Sequence, residues 1–117
     1  MDFTVEFYVT VSGHSPVREF LLELKAGDRD DFAAVAAGLE KLRNRQCHRQ
    51  PLTKRLSDGL FELRHVGKLN TRVLWFFVKG RRIIVVHGIR NKGQAIPARD
   101  LDTARERMRD WKQRNET

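Results

Sequence analysis

Between Lys41 and Arg99 the chain carries fifteen lysines and arginines against two acidic residues, Asp58 and Glu62. Residues 1–40 hold three basic and eight acidic side chains, and residues 100–117 hold five of each. The three balances, −5, +13 and 0, sum to the overall +8, so the whole excess lies in the middle block. Guanidinium and ammonium groups concentrated in this way bind anions, and phosphate is the anion they suit best. The block offers neither a carboxylate pair nor a cluster with metal-ligand spacing. Cys47 is the lone cysteine, which excludes an intrachain disulfide and a multi-cysteine zinc site. Four histidines are the remaining acid–base candidates. His87 ends an apolar run beside basic residues, His65 sits within another such run, and His14 and His48 fall near loops or helix ends with no role assigned.

The basic block is also the most apolar part of the chain, which points to charged side chains mounted on a packed sheet. At 117 residues and 13.7 kDa there is room for one domain, residues 1–117. Apolar residues make up 40% and charged residues 32%, a globular composition. No apolar run approaches the ~18 residues of a membrane span. Met1 to Thr4 lack the basic-then-apolar pattern of a secretory signal. A cytoplasmic protein without metal or other cofactor is expected.

Phe3, Val5, Phe7, Val9 and Val11 alternate with polar residues, the period of a half-buried strand, until Gly13 and His14 break it. Ser15 and Pro16 supply a capping hydroxyl and a first-turn proline for a helix whose stripe is Val17, Phe20, Leu21 and Leu24, ended by Gly27. Asp28 caps a second helix, with Asp30 and Asp31 at its positive end, Phe32, Val35, Ala36, Leu39 and Leu42 on its apolar face and Lys41, Arg43 and Arg45 in its last turns; Pro51 stops it. Three strands follow, Leu60–Val66, Arg72–Val78 and Ile83–His87, the last two joined by a hairpin at Lys79, Gly80 and Arg81. The latter two are apolar on both faces, as strands covered twice must be. After Pro97, the spacing of Leu101, Ala104, Met108 and Trp111 predicts a closing helix. The expected fold is α+β, in the order β-α-α-β-β-β-α, with a mostly antiparallel four-stranded sheet packed against helices.

The segment LSDGLFELR (Leu56–Arg64), the segment TRVLWFFVKGRRIIVVHGIRNKGQAIP (Thr71–Pro97) and the Arg-rich helix after it resemble the RelE/ParE superfamily of bacterial toxins, in particular its phage-associated HigB-type branch. The opening Phe3–Leu24 is similar to that branch as well, so the resemblance covers almost the whole chain. It implies a RelE-like fold and a ribonuclease that enters the ribosomal A site and cuts messenger RNA, held inactive by a cognate antitoxin, commonly a helix-turn-helix protein. The family's functional arginines fall on Arg64 and Arg72. Of its usual lysine pair after His-Gly, one is kept as Lys92, and Asn91 stands where the other is expected.

Metal-independent cleavage of RNA uses the substrate's 2′-hydroxyl as nucleophile, so the protein must move protons and stabilise charge on phosphorus. A sheet face bearing Arg64 and Arg72 as catalytic residues, edged by Lys54, Arg55 and Arg90 as RNA contacts, meets those needs, with Lys92 at its edge and His87 as further catalytic candidates. Other readings stand beside this one. Glu62, two positions from Arg64, offers a structural ion pair, and the stem of Arg72 can cover Leu74 and Phe76. In a doubly covered strand Trp75, Phe76 and Phe77 read as core before they read as platforms for bases. Asp100, Asp102, Glu106 and Asp110 interleave with Arg99, Arg105, Arg107 and Arg109 as a solvated, self-paired helix face. Two other functions stay open: a ParE-like poison of DNA gyrase acting by protein contact, and a degenerate member that only binds RNA or its antitoxin.

Overall fold

The apolar alternation at the N-terminus makes a strand, but a short one: β1 spans Thr4–Phe7 in the computed structural model, which describes residues 2–64, 71–90 and 95–115. The Tyr8 N–H still donates to Val85 O (2.9 Å), after which Gly13 N–H to Thr10 O (3.0 Å) closes a turn, leaving Val11 80% exposed. Next come α1 (Pro16–Gly27), α2 (Arg29–Lys41), a 3-10 turn at Arg45–Cys47, β2 (Thr53–Arg55), β3 (Leu60–Arg64), β4 (Thr71–Val78), β5 (Arg82–Arg90) and α3 (Ala98–Asn115). Asp28 caps α2 as its sequence predicts, its side chain accepting the Asp31 N–H at 3.0 Å. Ser15 occupies the cap position of α1, but its hydroxyl makes no capping bond.

Among the described residues the strands form one five-stranded sheet in the order β1-β5-β4-β3-β2. The expected four-stranded, mostly antiparallel sheet is corrected in two respects. Thr53–Arg55 adds a fifth, edge strand, which is too short and too polar for a period-two pattern; only Thr53 is buried. The sheet is also mixed, because β1 runs parallel to β5 while the other neighbours are antiparallel. Strand direction follows from how the α1–α2 layer returns the chain, and composition does not record it.

Helices cover both faces. On one, Val17, Leu21 and Leu24 of α1 and Val35 and Leu39 of α2 pack on Leu63, Val73, Trp75, Ile83 and Val85. On the other, Ala104, Met108 and Trp111 of α3 pack on Leu60, Leu74, Phe76, Ile84, Val86 and Ile89. Every β4 residue from Thr71 to Phe76 is therefore buried. Close approach of α1 to β5 requires a glycine: a Cβ on Gly88 would lie 2.4 Å from the Phe20 ring. The β4–β5 pairing slips by one residue at Leu74/Trp75. Such a bulge reverses the side-chain alternation beyond it, so Gly88 and Arg90 turn toward α1 and α2 while His87 and Ile89 face α3.

Candidate functional site

Arg64, the last residue of β3, lies directly opposite Arg72 near the start of β4. Residues opposed across an antiparallel pair share a face, so two guanidiniums stand side by side. Glu62, two positions back, shares that face. Its Oε1 is 3.2 Å from Arg64 Nε and 3.8 Å from Arg72 Nε. Burial differs sharply within the trio: Glu62 is 2% exposed and Arg72 6%, whereas the Arg64 side chain is 41% exposed. One carboxylate shared by two guanidiniums leaves a net single positive charge. Arg72 is held as a buried cation, and Arg64 presents its head to solvent. Lys54 on β2, exposed and opposite Glu62, adds a cation on the same face.

The other predicted site residues are distributed differently. Arg55 pairs with Phe61 and therefore faces the α1–α2 side. Arg90 is carried to that side by the bulge, where its Nη2 lies 3.7 Å from Asp28 Oδ2 at the start of α2. Beside it the Thr71 hydroxyl donates to the buried Asp31 carboxylate, tying α2 to β4. Lys92, Asn91 and His65 lie outside the described residues.

His87 shares the face of Arg72, but both its ring nitrogens are engaged. Nε2 is 2.7 Å from Asp100 Oδ1, and Arg107 Nη1 lies 3.0 Å from Nδ1 while also donating to Val86 O at 2.9 Å. Since an arginine only donates, Nδ1 is the acceptor and Nε2–H the donor, which defines a neutral imidazole. Burial pushes its pKa below the usual 6.5; the Arg107 charge acts in the same direction, and the Asp100 bond opposes both. In this arrangement His87 fastens β5 to α3.

Asp100 and Arg107 are residues whose roles the sequence reading missed. The expected self-paired face of α3 is corrected: Asp100 and Arg107 go to His87, Arg105 Nε to Asp58 at 2.8 Å, and Asp110 to the Tyr8 hydroxyl at 2.5 Å. Arg105–Asp102 and Arg114–Asp110 remain as pairs within the helix. The signal was present in the spacing, because Asp100 and Arg107 flank the buried stripe Ala104, Met108 and Trp111 at helical intervals.

Fold and site together define a small α+β domain whose sheet displays paired arginines. The family model of Gp49-like phage-derived proteins (DUF891) matches residues 19–109, most of the chain, and the chain belongs to that family, which is toxin-like and of the RelE/HigB type. No curated protein matches the chain. No helix among the described residues is long and apolar enough to cross a membrane.

Proposed function

We propose that this protein is the toxin of a type II toxin–antitoxin system, a ribosome-dependent endoribonuclease that cuts messenger RNA without metal and is neutralised by a protein antitoxin. The observation that carries this reading is the pairing of Arg64 with Arg72 over the buried Glu62. Arg64 grips a phosphate oxygen from the solvent side. Arg72, fixed behind it, contributes positive potential from a site of low dielectric, where a charge acts most strongly. Attack of the ribose 2′-oxygen on phosphorus forms one P–O bond and expels the 5′-oxygen. The charge of the five-coordinate phosphorus falls on these two groups, with Lys54 at the margin. Membership of a toxin-like family supports the assignment. Confinement of cutting to the ribosome fits a protein whose candidate histidine, His87, is held in two internal bonds.

Induction of the chain in bacteria is expected to arrest growth and to leave new 5′ ends in phase with the reading frame. Arg64→Ala is expected to abolish both while the protein stays folded. Intact messages with broken DNA would replace this reading with gyrase poisoning. Full toxicity of an Arg64→Ala/Arg72→Ala protein would reject the site.

A further inference from the structure

At the opposite end of the sheet, and on its other face, an open cleft of about 1050 Å³ lies between the start of β1, the 3-10 turn and the β4–β5 hairpin. Its lining combines three aromatic rings, Phe3, His48 and Phe77, with three arginines, Arg45, Arg49 and Arg81. Asp2 is the lining's carboxylate, and it faces Arg43 at 3.4 Å. From this composition we infer that the cleft binds an unpaired nucleotide of an RNA strand, the base against the aromatic wall and the phosphate among the arginines.

The wall is built in advance of any ligand. The Phe3 and His48 rings meet edge-to-face at 4.6 Å, and His48 and Phe77 do so at 5.1 Å. Trp75 and Phe61 back Phe77 at 4.7 and 5.0 Å. The His48 Nε2–H donates to Leu42 O at 2.5 Å, and the Phe3 N–H to Arg43 O at 2.8 Å, so the ring and the strand bearing its neighbour are both anchored. Rings that need no ordering lose little entropy when a base stacks on them. Phe77 is the informative residue. The six β4 residues before it are buried, yet its own ring is 36% exposed at the cleft. An apolar ring left open beside arginines suits a π-face that carries a phosphate.

Arg81 points the same way. It sits in the hairpin with φ +57°, after Gly80 at +86°. The left-handed region suits glycine or asparagine better than arginine, so a long cationic side chain is held on the cleft's rim at a conformational cost. A cleft needing charge alone has no use for the rings, and one recognising an apolar peptide has no use for three arginines. Only the choice of RNA rests on the functional reading above; nucleotide binding here stands whether or not the chain cuts RNA.

Adenosine 5′-monophosphate is the first probe, titrated into the full chain with NMR shifts of Phe3, His48 and Phe77 as the readout. Saturable binding is expected, with adenosine and tripolyphosphate each weaker because each lacks half of the recognised chemistry. Phe77→Leu keeps the apolar bulk and should weaken the nucleotide about tenfold. Arg45→Ser/Arg49→Ser should do so through the phosphate, and Arg64→Ala should leave its affinity unchanged. Tripolyphosphate or an acidic peptide binding as tightly as the nucleotide, or a Phe77→Leu protein that binds it normally, would overturn the assignment. So would shifts confined to Arg64 and Arg72. An RNA long enough to run along the molecule's 41 Å axis then identifies the strand. Weakening by both Phe77→Leu and Arg64→Ala assigns the cleft to the strand being cut. Weakening by Phe77→Leu alone assigns it to a separate RNA, and weakening by neither overturns the inference.

Discussion

Glu6 on β1 meets Arg82 on β5 with both oxygens, at 2.6 and 2.8 Å, and the two side chains are 40% and 39% exposed. Glu62 on β3 is buried and shared between two arginines at longer range. The first arrangement is closed: one fork and one carboxylate cancel, with water around them. The second is open, because the buried carboxylate lies between two guanidiniums and one of them, Arg64, presents its head to solvent. Two glutamates in one sheet thus do different work, and the difference lies in burial and stoichiometry rather than in residue type.

The largest effect that would test the contrast is on stability. Glu62→Ala removes the buried carboxylate that lies between Arg64 and the buried Arg72, and the expected loss is about 3–5 kcal/mol in urea unfolding. Adding Arg72→Met should restore much of it. A loss as small as that of an exposed pair would mean that the two glutamates are equivalent after all.

Binding separates the two arginines next. Arg64→Ala should leave the unfolding midpoint nearly unchanged and lower the slope of log K against log salt for RNA by about one. Arg82→Ala should not alter that slope. If both variants changed it equally, the surface would be acting as diffuse charge and not as a site.

Much of this was legible in the sequence, and the parts that were not share a cause. The Asp28 cap, the doubly buried β4 and the anchoring of Trp111, which meets Phe76 at 5.7 Å, followed from local period and chemistry. The Arg64–Arg72 pairing was readable because the two strands are neighbours in the chain. The face occupied by Arg90 was not, since one bulge at Leu74/Trp75 inverts it and nothing local marks that bulge. Strand β2 is too short to show a period, and the parallel course of β1 is decided by its partner far along the chain. The cleft aromatics escaped for a related reason: Phe77 reads as core until the start of β1 and the 3-10 turn that frame it are brought together.

His87 offers a finer test of closed against open sites, since its imidazole is saturated by Asp100 and Arg107. Its pKa is lowered in the folded state, so the unfolded chain takes up the proton first as pH falls. The contribution of His87 is therefore complete above the unfolded value near 6.5 and is lost progressively below it. Thermal unfolding followed from neutral to mildly acidic pH should show the decline, and His87→Gln should flatten it. A variant with an unchanged profile would assign the decline to other groups and free His87 for chemistry.

The smallest effect belongs to Glu6. The Arg82 hydrogen bonds, assisted by its charge, hold the Glu6 carboxyl below its ordinary 4.5 despite the opposing desolvation. A depressed carboxyl stabilises the fold above the unfolded pKa and ceases to do so as pH falls through the folded one. With both partners well exposed, solvent screening keeps the pair within about 1 kcal/mol. Glu6→Gln should therefore cost little at neutral pH, and that small loss should shrink further in high salt and at acidic pH, where the wild-type carboxyl is itself neutral. Glu62→Gln should keep most of its larger penalty in salt, because ions do not reach a buried charge. If the two variants lost their penalties together as salt rose, burial would not be what separates the two glutamates.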